Sequence, residues 1–387
     1  MRAQSVRASY ASPKCKGELC EPERITMNDL NETRQKINKI DEEMAKHFED
    51  RMNLCKDVAE FKKENSMPVL DKAREDAVIN NNLNFISAEE LKPYYINYIK
   101  SILDISKEYQ RSLLTGLKIS YSGIEGAYGY IAASRMYPNC ELVSNNNFSQ
   151  AYKSVENGTS DRAVLPIENS FAGDVGEVMD LIFSGTLFIN RIYDLEIEHN
   201  LMVNEGVKLS DVELIVSHPQ ALSQCSKFIE DGNYKTIDEV NTAFAAKRLK
   251  ETGDKTMAVI ASKETAKAYG LTILKEKINN SDLNTTRFAS FSRVLSDYKN
   301  VGASKKNFIM VFTVKNVAGA LAKCLDIIGA HGFNMRNLRS RPMKDLMWTY
   351  YFFCEIEGDL DSDDAKNMLV ALKTFCDRLK IVGNYLI

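Results

Sequence analysis

Apolar positions recur along the first part of the chain with the spacing of a helix. Leu30, Ile37, Ile40, Met44, Phe48, Leu54, Val58 and Phe61 follow one another at steps of three, four, six or seven residues. Such steps keep side chains along one stripe of an α-helix. Neither Pro nor Gly occurs from Asn28 to Met67. The pattern therefore predicts one helix of about 37 residues, about 55 Å long at 1.5 Å per residue, ended by Pro68. Two more helices are expected over 71–86 and 87–114, with Pro93 near the start of the second. One long helix and two shorter ones cannot bury that stripe by themselves, so a partner chain is implied.

At Gly116 the pattern changes. Lys118–Tyr121, Arg162–Pro166, Glu213–Ser217 and Met257–Ala261 read as short strands, each followed by helical spacing. That alternation is α/β. Thr186–Asn204 reads as strands without long helices, as where a chain crosses between two lobes. Residues 299–305 form a linker. A third unit follows: strand Phe308–Val314, helix Gly319–Ala330, strand Phe333–Ser340, strand Met347–Ile356, helix Asp361–Leu379 and strand Lys380–Tyr385. The order βαββαβ predicts a small α+β, ferredoxin-like sandwich. The chain is thus read as multidomain: an all-α dimerising unit over 27–115, an α/β unit over 117–298 and the sandwich over 306–387.

Composition narrows the class of protein. With 387 residues, 44% hydrophobic and 27% charged, the chain has the balance of a multidomain globular protein. A net charge of −3 provides no global basic field for nucleic acid. No apolar run approaches the length of a membrane span. The eight cysteines form no C-x-x-C pair and no metal-ligand spacing. Cys225, Cys324, Cys354 and Cys376 lie in apolar contexts and read as buried thiols in a reducing, cytoplasmic setting. Residues 1–26 hold Arg2, Arg7, Lys14 and Lys16 without an apolar core for a secretory signal. They read as a disordered extension, with Met27 expected as the true start.

The polar residues of the helical region are placed unusually. Arg51 and Lys62 are eleven residues apart, within about 20° of each other on a helix. Asp71, Arg74 and Glu75 fall within one turn, and Ser106 and Gln110 stand at i, i+4. Arg34 lies about 25 Å before Arg51 along the axis and about 100° around it. No small substrate touches both in one chain, so a second protomer would supply Arg34. Taken singly, each is an ordinary residue of a solvated face. Taken in order, they resemble the all-helical chorismate mutases, at matching spacings through Glu75 and with a gap before Ser106 and Gln110. The resemblance implies a pericyclic rearrangement needing no acid, base or cofactor, only a cage for the reactive conformer. On it, Arg34 of the partner and Arg51 would bind the two carboxylates, which suits the guanidinium fork. Lys62 and Gln110 would contact the ether oxygen, Asp71 and Glu75 would hold the ring hydroxyl, and Arg74 and Ser106 would complete the cage.

In the α/β region, Tyr121–Gly129 is glycine-rich after a strand. Its spacing is G-x-x-G-x-x-G, not the G-x-G-x-x-G of dinucleotide sites. This argues against a nicotinamide-dependent dehydrogenase. Four segments sit where strands end or helices begin: Leu165–Ser170, Ser217–Leu222, Asn241–Ala246 and Asn284–Phe288. Singly they read plainly: Ser217 with Pro219 suits a helix start, and His218, Asn241 and Thr242 can cap or pack. As a set, P-I-E-N-S, S-H-P-Q-A-L and T-R-F resemble prephenate dehydratase. Ala127-Tyr128-Gly129 departs from that family's more polar opening turn. The resemblance implies two α/β lobes around a cleft, similar to periplasmic binding proteins. In it Thr286 is the catalytic threonine, giving a hydrogen bond to the departing hydroxyl, and Arg287 clamps a carboxylate. Glu168, Asn169, Ser170, Ser217, Gln220, Thr242 and Phe288 would line the cleft.

Val317–Leu321 and Arg339–Pro342 resemble the ACT regulatory domain of phenylalanine-sensitive dehydratases. The resemblance implies that Gly319, Ala320, Leu321, Ser340, Arg341 and Pro342 hold L-phenylalanine, usually across a dimer interface. Arg339 stands where that family usually has Glu, reversing a charge beside the site. The order mutase, dehydratase, sensor implies a homodimer or larger homo-oligomer that takes chorismate through prephenate to phenylpyruvate under phenylalanine control, without metal or cofactor. The alternative is a solute-binding protein with a helical dimerisation arm. It leaves the Thr286–Arg287 pair unexplained and lacks a visible secretion signal.

Overall fold

The computed structural model describes residues 27–65, 71–114, 116–281, 283–298, 305–343 and 349–387. The expected extension over 1–26, the break at Pro68, residues 299–304 of the linker and the strand start at Met347 lie outside the described residues.

The first region is helical: α1 (Met27–Glu64), α2 (Lys72–Leu83), a short 3₁₀ turn (Glu89–Leu91) and α3 (Lys92–Leu114). Asp71 caps α2 by accepting from Arg74 N at 3.0 Å. Pro93 sits in the first turn of α3, where its missing N–H costs nothing. The second half of α1 packs against α3, and Ala59 of α1 and Ile99 of α3 are buried. The eight apolar residues of the α1 stripe, from Leu30 to Phe61, are all exposed. The stripe is therefore not satisfied by the described residues of its own chain.

The α/β region has two lobes. The first comprises β1 (Lys118–Ser122), α4 (Tyr128–Met136), β2 (Glu141–Asn145), α5 (Phe148–Glu156), β3 (Arg162–Asn169), β4 (Gly173–Asp174), α6 (Gly176–Ser184) and β5 (Phe188–Glu196). The chain then crosses into β6 (Asn200–Val203), β7 (Leu214–Ser217), α7 (Pro219–Gln224), α8 (Ser226–Asp231), β8 (Lys235–Asp238), α9 (Thr242–Thr252), β9 (Met257–Ala261), α10 (Lys263–Tyr269) and β10 (Thr272–Lys275). It returns as β11 (Thr285–Ser292), which lies antiparallel between β3 and β5. The second lobe is a sheet of order β10-β6-β9-β7-β8. Its central strand β9 is buried at every position, which explains its unbroken apolar run.

The third unit runs β12 (Lys306–Val314), α11 (Ala320–Ala330), β13 (Asn334–Pro342), β14 (Tyr350–Glu357), α12 (Asp363–Lys373) and β15 (Cys376–Leu386). Its strands lie in the order β13-β14-β12-β15. The helix expected to reach Leu379 stops at Lys373. From Cys376 the chain pairs with β12, beginning at Val314↔Cys376, because the edge of β12 offers a ladder that helical spacing cannot announce. β15 then meets β5 at Gly383↔Ile189 and joins this sheet to that of the first lobe. A side chain at Gly383 would lie 3.0 Å from Ile189, so glycine permits the approach. Cys225, Cys324 and Cys354 are buried as expected, whereas Cys376 is half-buried.

Candidate active sites

The first cluster lies between α1 and α3. Arg51 donates from Nη1 to Ser106 Oγ, and Ser106 donates to the Ile102 carbonyl at 2.6 Å. Farther along the same pair of helices, Lys62 Nζ reaches Gln110 Oε1 at 3.4 Å. Ser106 and Gln110 are buried. Arg51, Lys62, Ser106 and Gln110 thus meet on facing helix surfaces, as three turns of α1 and one turn of α3 require. Glu75 reaches α3 differently, through a 2.8 Å ion pair with Lys107, which also holds Asp104 at 2.9 Å. Burial alone would lower the Lys107 ammonium, but hydrogen bonds to Glu75 and Asp104 outweigh it and hold its pKa above the usual value. Arg34, Asp71 and Arg74 are exposed and are not joined to this cluster within one chain.

The second site is an interlobe cavity of about 740 Å³. Strand alternation decides which residues reach it. In the β11–β3 ladder Thr286 stands opposite Asn169, and Arg287 opposite Glu168. Side chains alternate between faces, so Thr286, Phe288 and Asn169 line the cavity. Arg287 and Glu168 turn to the other face. There Arg287 grips Glu355 of β14 with two nitrogens, at 3.0 and 3.2 Å. The expected carboxylate clamp is therefore engaged outside the cleft, and Glu168 pairs with Arg339 and Arg287 rather than lining it. Gln220 and Thr242 do line the cavity. Ser217 is wholly buried and donates to the Ile260 carbonyl at 2.7 Å. Ser170 ties the strands together, donating to Leu283 O at 2.9 Å and accepting from Thr285 N at 3.0 Å. Both serve the scaffold of the site.

A chain of side-chain hydrogen bonds runs inward from Thr286. The backbone N–H groups of Phe171 and Ala172 donate to Asn169 Oδ1 at 3.1 and 3.0 Å, which fixes that amide's orientation. Asn169 Nδ2 must then face Thr286 Oγ1 at 3.0 Å and Asn284 Oδ1 at 3.0 Å. Asn284 Nδ2 in turn donates to Gln224 Oε1 at 2.8 Å, and His199 Nε2 lies 2.9 Å from the same oxygen. An oxygen partner requires the Nε2–H tautomer. Tyr128 OH meets His199 Nδ1 at 3.1 Å. With its oxygen taken twice, Gln224 leaves a buried Nε2 without a protein partner, and the residue lines the cavity.

Among the described residues lining the cavity there is no Lys or Arg. Burial lowers the pKa of His199, and burial outweighs the opposing pull of Asp238 at His218, so both imidazoles are neutral near pH 7. The positive poles present are helix starts. Helices α4, α5 and α9 begin at the wall with Ala127, Asn147 and Asn241. Ala127 has no side chain to occupy the free N–H groups of α4. Such groups attract carboxylates.

Residues 119–294 match the family of prephenate dehydratase, and residues 33–111 that of type II chorismate mutase. The bifunctional chorismate mutase/prephenate dehydratase of Buchnera aphidicola (from Acyrthosiphon pisum, strain APS) is 31% identical over 374 residues, covering 92% of this chain and 96% of that protein. The chain belongs to the bifunctional chorismate mutase/prephenate dehydratases. Membership makes it an enzyme with an isomerase and a lyase activity. Among solved structures, the prephenate dehydratase of Arthrobacter aurescens in complex with L-Phe has a TM-score of 0.64 at 26% identity, covering 70% of this chain and 89% of that one. The quorum quenching acylase GqqA also has a TM-score of 0.64, at 29% identity, covering 70% of this chain and 97% of that one.

Within this bifunctional mutase/dehydratase, sequence reasoning passed over Tyr128, His199, Gln224 and Asn284 as site residues. Gln224 had a signal, since it stands at i+4 from Gln220. Asn284 stood in a quoted motif. Tyr128 and His199 come together only when the strand crossover docks against α4.

Proposed function

We propose that prephenate is dehydrated in the interlobe cavity and that the α1–α3 groove is half of the mutase site. The observation that carries the first reading is Thr286 held by Asn169 on the wall of a cavity with no cationic side chain among its described lining residues. Prephenate must place two carboxylates there, and the starts of α4, α5 and α9, with the free amide of Gln224, are the donors available. As one carboxylate leaves as CO₂, its bonding electrons complete the aromatic ring and expel the ring hydroxyl. Thr286 Oγ–H donates to that departing oxygen, and Asn169 holds the hydroxyl in place by donating to its lone pair. Phe288, Val164 and Pro166 provide the apolar wall.

For the mutase, Arg51 and Lys62 are half of a cage. A second copy covering the exposed α1 stripe would bring its Arg34 to the chorismate carboxylates and bury the apolar residues together. The functional units are read as 27–115, 117–298 and 306–387, acting in the cytoplasm as a homodimer or larger assembly. The last is read as an ACT-type, ferredoxin-like sensor of L-phenylalanine. Its candidate pocket lies at Gly319, Ala320 and Leu321 with Ser340, Arg341 and Pro342. Gly319 has a φ of 78° at the start of α11, a conformation that a β-branched residue resists.

The test is direct. Purified chain given chorismate, with no nicotinamide added, should consume it and yield a product whose alkaline enolate absorbs as phenylpyruvate. Phenylalanine should bind by calorimetry and inhibit the second step, and Gly319→Val should relieve inhibition with turnover retained. No binding heat at millimolar phenylalanine sinks the sensor reading alone.

A further inference from the structure

The fixed end of the hydrogen-bond chain at Thr286 is the hairpin joining β3 to β4. Its turn, residues 170–172, closes on Gly173, whose φ of 74° favours glycine. The turn delivers the two N–H groups that orient Asn169. The same hairpin carries an unfavourable pair. Asn169 stands opposite Gly173, and the next position sets Glu168 directly opposite Asp174. Like charges so placed repel, and here the repulsion acts one residue from Asn169.

Arg287 of β11 lies 3.7 Å from Glu168, but the cation that reaches both acids comes from another unit of the protein. Arg339, on β13, donates from Nη1 to Asp174 Oδ1, and its Nη2 pairs with Glu168 Oε1. Its Nε donates to Asn337 Oδ1 at 2.9 Å, which leaves the fork aimed at the hairpin. All three charged side chains are mostly withdrawn from solvent, at 17% exposure for Arg339, 26% for Glu168 and 23% for Asp174. Screening between them is correspondingly weak. A guanidinium suits the position because its nitrogens can reach two carboxylates at once.

We propose that Arg339 is a positioning residue for the dehydratase: the C-terminal unit clamps Glu168 to Asp174 through it, and so holds the turn that aims Asn169 at Thr286. The inference rests on the reading of Asn169 and Thr286 as catalytic. Arg339 is not among the residues lining the cavity. It acts by keeping two opposed carboxylates together beside a residue that is. Because it directly precedes Ser340–Pro342, a shift of β13 reaches the dehydratase cavity through this clamp.

The experiment uses the full-length chain, with its mutase turnover as the internal measure of folding. Arg339→Gln should lower kcat for prephenate by about tenfold with chorismate turnover unchanged. Adding Asp174→Asn removes the opposed charge and should restore kcat to within threefold of wild type, a rescue that a merely structural arginine would not show. A loss smaller than threefold, or a loss that Asp174→Asn leaves uncorrected, overturns the proposal. If Arg339→Gln yields no mutase-active protein, Arg339→Lys replaces it, since one ammonium cannot bridge both carboxylates, and the same rescue is required. Asn169→Ala is measured in parallel. Turnover surviving that change overturns the catalytic reading of Asn169, whereas a loss there with Arg339→Gln unaffected overturns only the clamp.

Discussion

The α1–α3 cluster and the interlobe cavity are built in opposite ways. The groove between α1 and α3 offers Arg51 and Lys62 on an open helical surface whose apolar stripe is uncovered. The interlobe cavity offers no cationic side chain among its described lining residues, and relies on helix starts, amides and hydroxyls fixed by one another. The difference follows from what each scaffold can hold still. A long helix pair has few backbone donors to spare, since its N–H groups are used within the helix, so charge must come from long side chains. An α/β lobe ends many helices at one cleft, and its backbone supplies the charge already oriented. The apolar stripe beside the first cluster stays exposed within one chain, whereas the interlobe cavity is lined from both lobes of the same chain.

The most severe test of this contrast is Thr286→Ala. Removing the donor to the leaving hydroxyl should cut prephenate turnover by about 10²–10⁴-fold, while chorismate is still converted and prephenate accumulates. If turnover stays within a few-fold of wild type, the cavity is not where dehydration occurs. Arg51→Ala should do the reverse, lowering mutase turnover by about 10²–10³-fold with dehydration intact. Mixing Arg34→Ala and Arg51→Ala chains then sharpens the comparison. Free exchange of dimers should return about a quarter of wild-type mutase activity, because half the dimers regain one intact site. No recovery after verified exchange would show that each chain's mutase site is complete.

A smaller effect separates the electrostatics. Raising ionic strength from about 50 to 500 mM should raise the mutase KM several-fold, because open side-chain charges are screened. The dehydratase KM should move by less than about twofold, since its donors are buried dipoles. Equal salt dependence would remove the distinction. The smallest effect concerns pH. His199 is held neutral in the folded chain, with its pKa lowered by burial. The unfolded chain therefore takes up that proton first, and the stability this group contributes is present above pH ~6.5 and lost as pH falls towards its folded pKa. The melting temperature should thus decline below pH ~6.5, above the range in which carboxylates titrate, and His199→Gln should flatten the decline. An unchanged slope would mean that His199 carries little of it.

Much of the first site was legible because helices translate spacing into position. Eleven residues bring Arg51 and Lys62 to one face whatever else the chain does, and four bring Ser106 and Gln110 together. The motifs of the second site were equally visible, but their internal geometry was not. T-R-F names three neighbours without saying that the middle one faces away. Arg287 reads as the natural partner for a carboxylate, and so it is, but the carboxylate belongs to Glu355. A strand alternates its faces, and which alternate set meets the cleft depends on the register with β3 and on the unit packed behind. Arg339 is a similar case. Its charge looked misplaced beside an effector site, whereas it lies between two acids more than 160 residues earlier in the chain.

The sequence by itself determined the order of units, the helical stripe and the residue types of both sites, because periodicity, turn chemistry and motif spacing are local properties of a chain. Only the tertiary structure decided which carboxylates face which guanidinium groups, that Tyr128 and His199 meet, and that the interlobe cavity borders helix starts, with no arginine among its described lining residues. Those outcomes depend on strand register and on the docking of distant elements. Both are selected by burial summed over the whole core, and no short stretch of sequence records them.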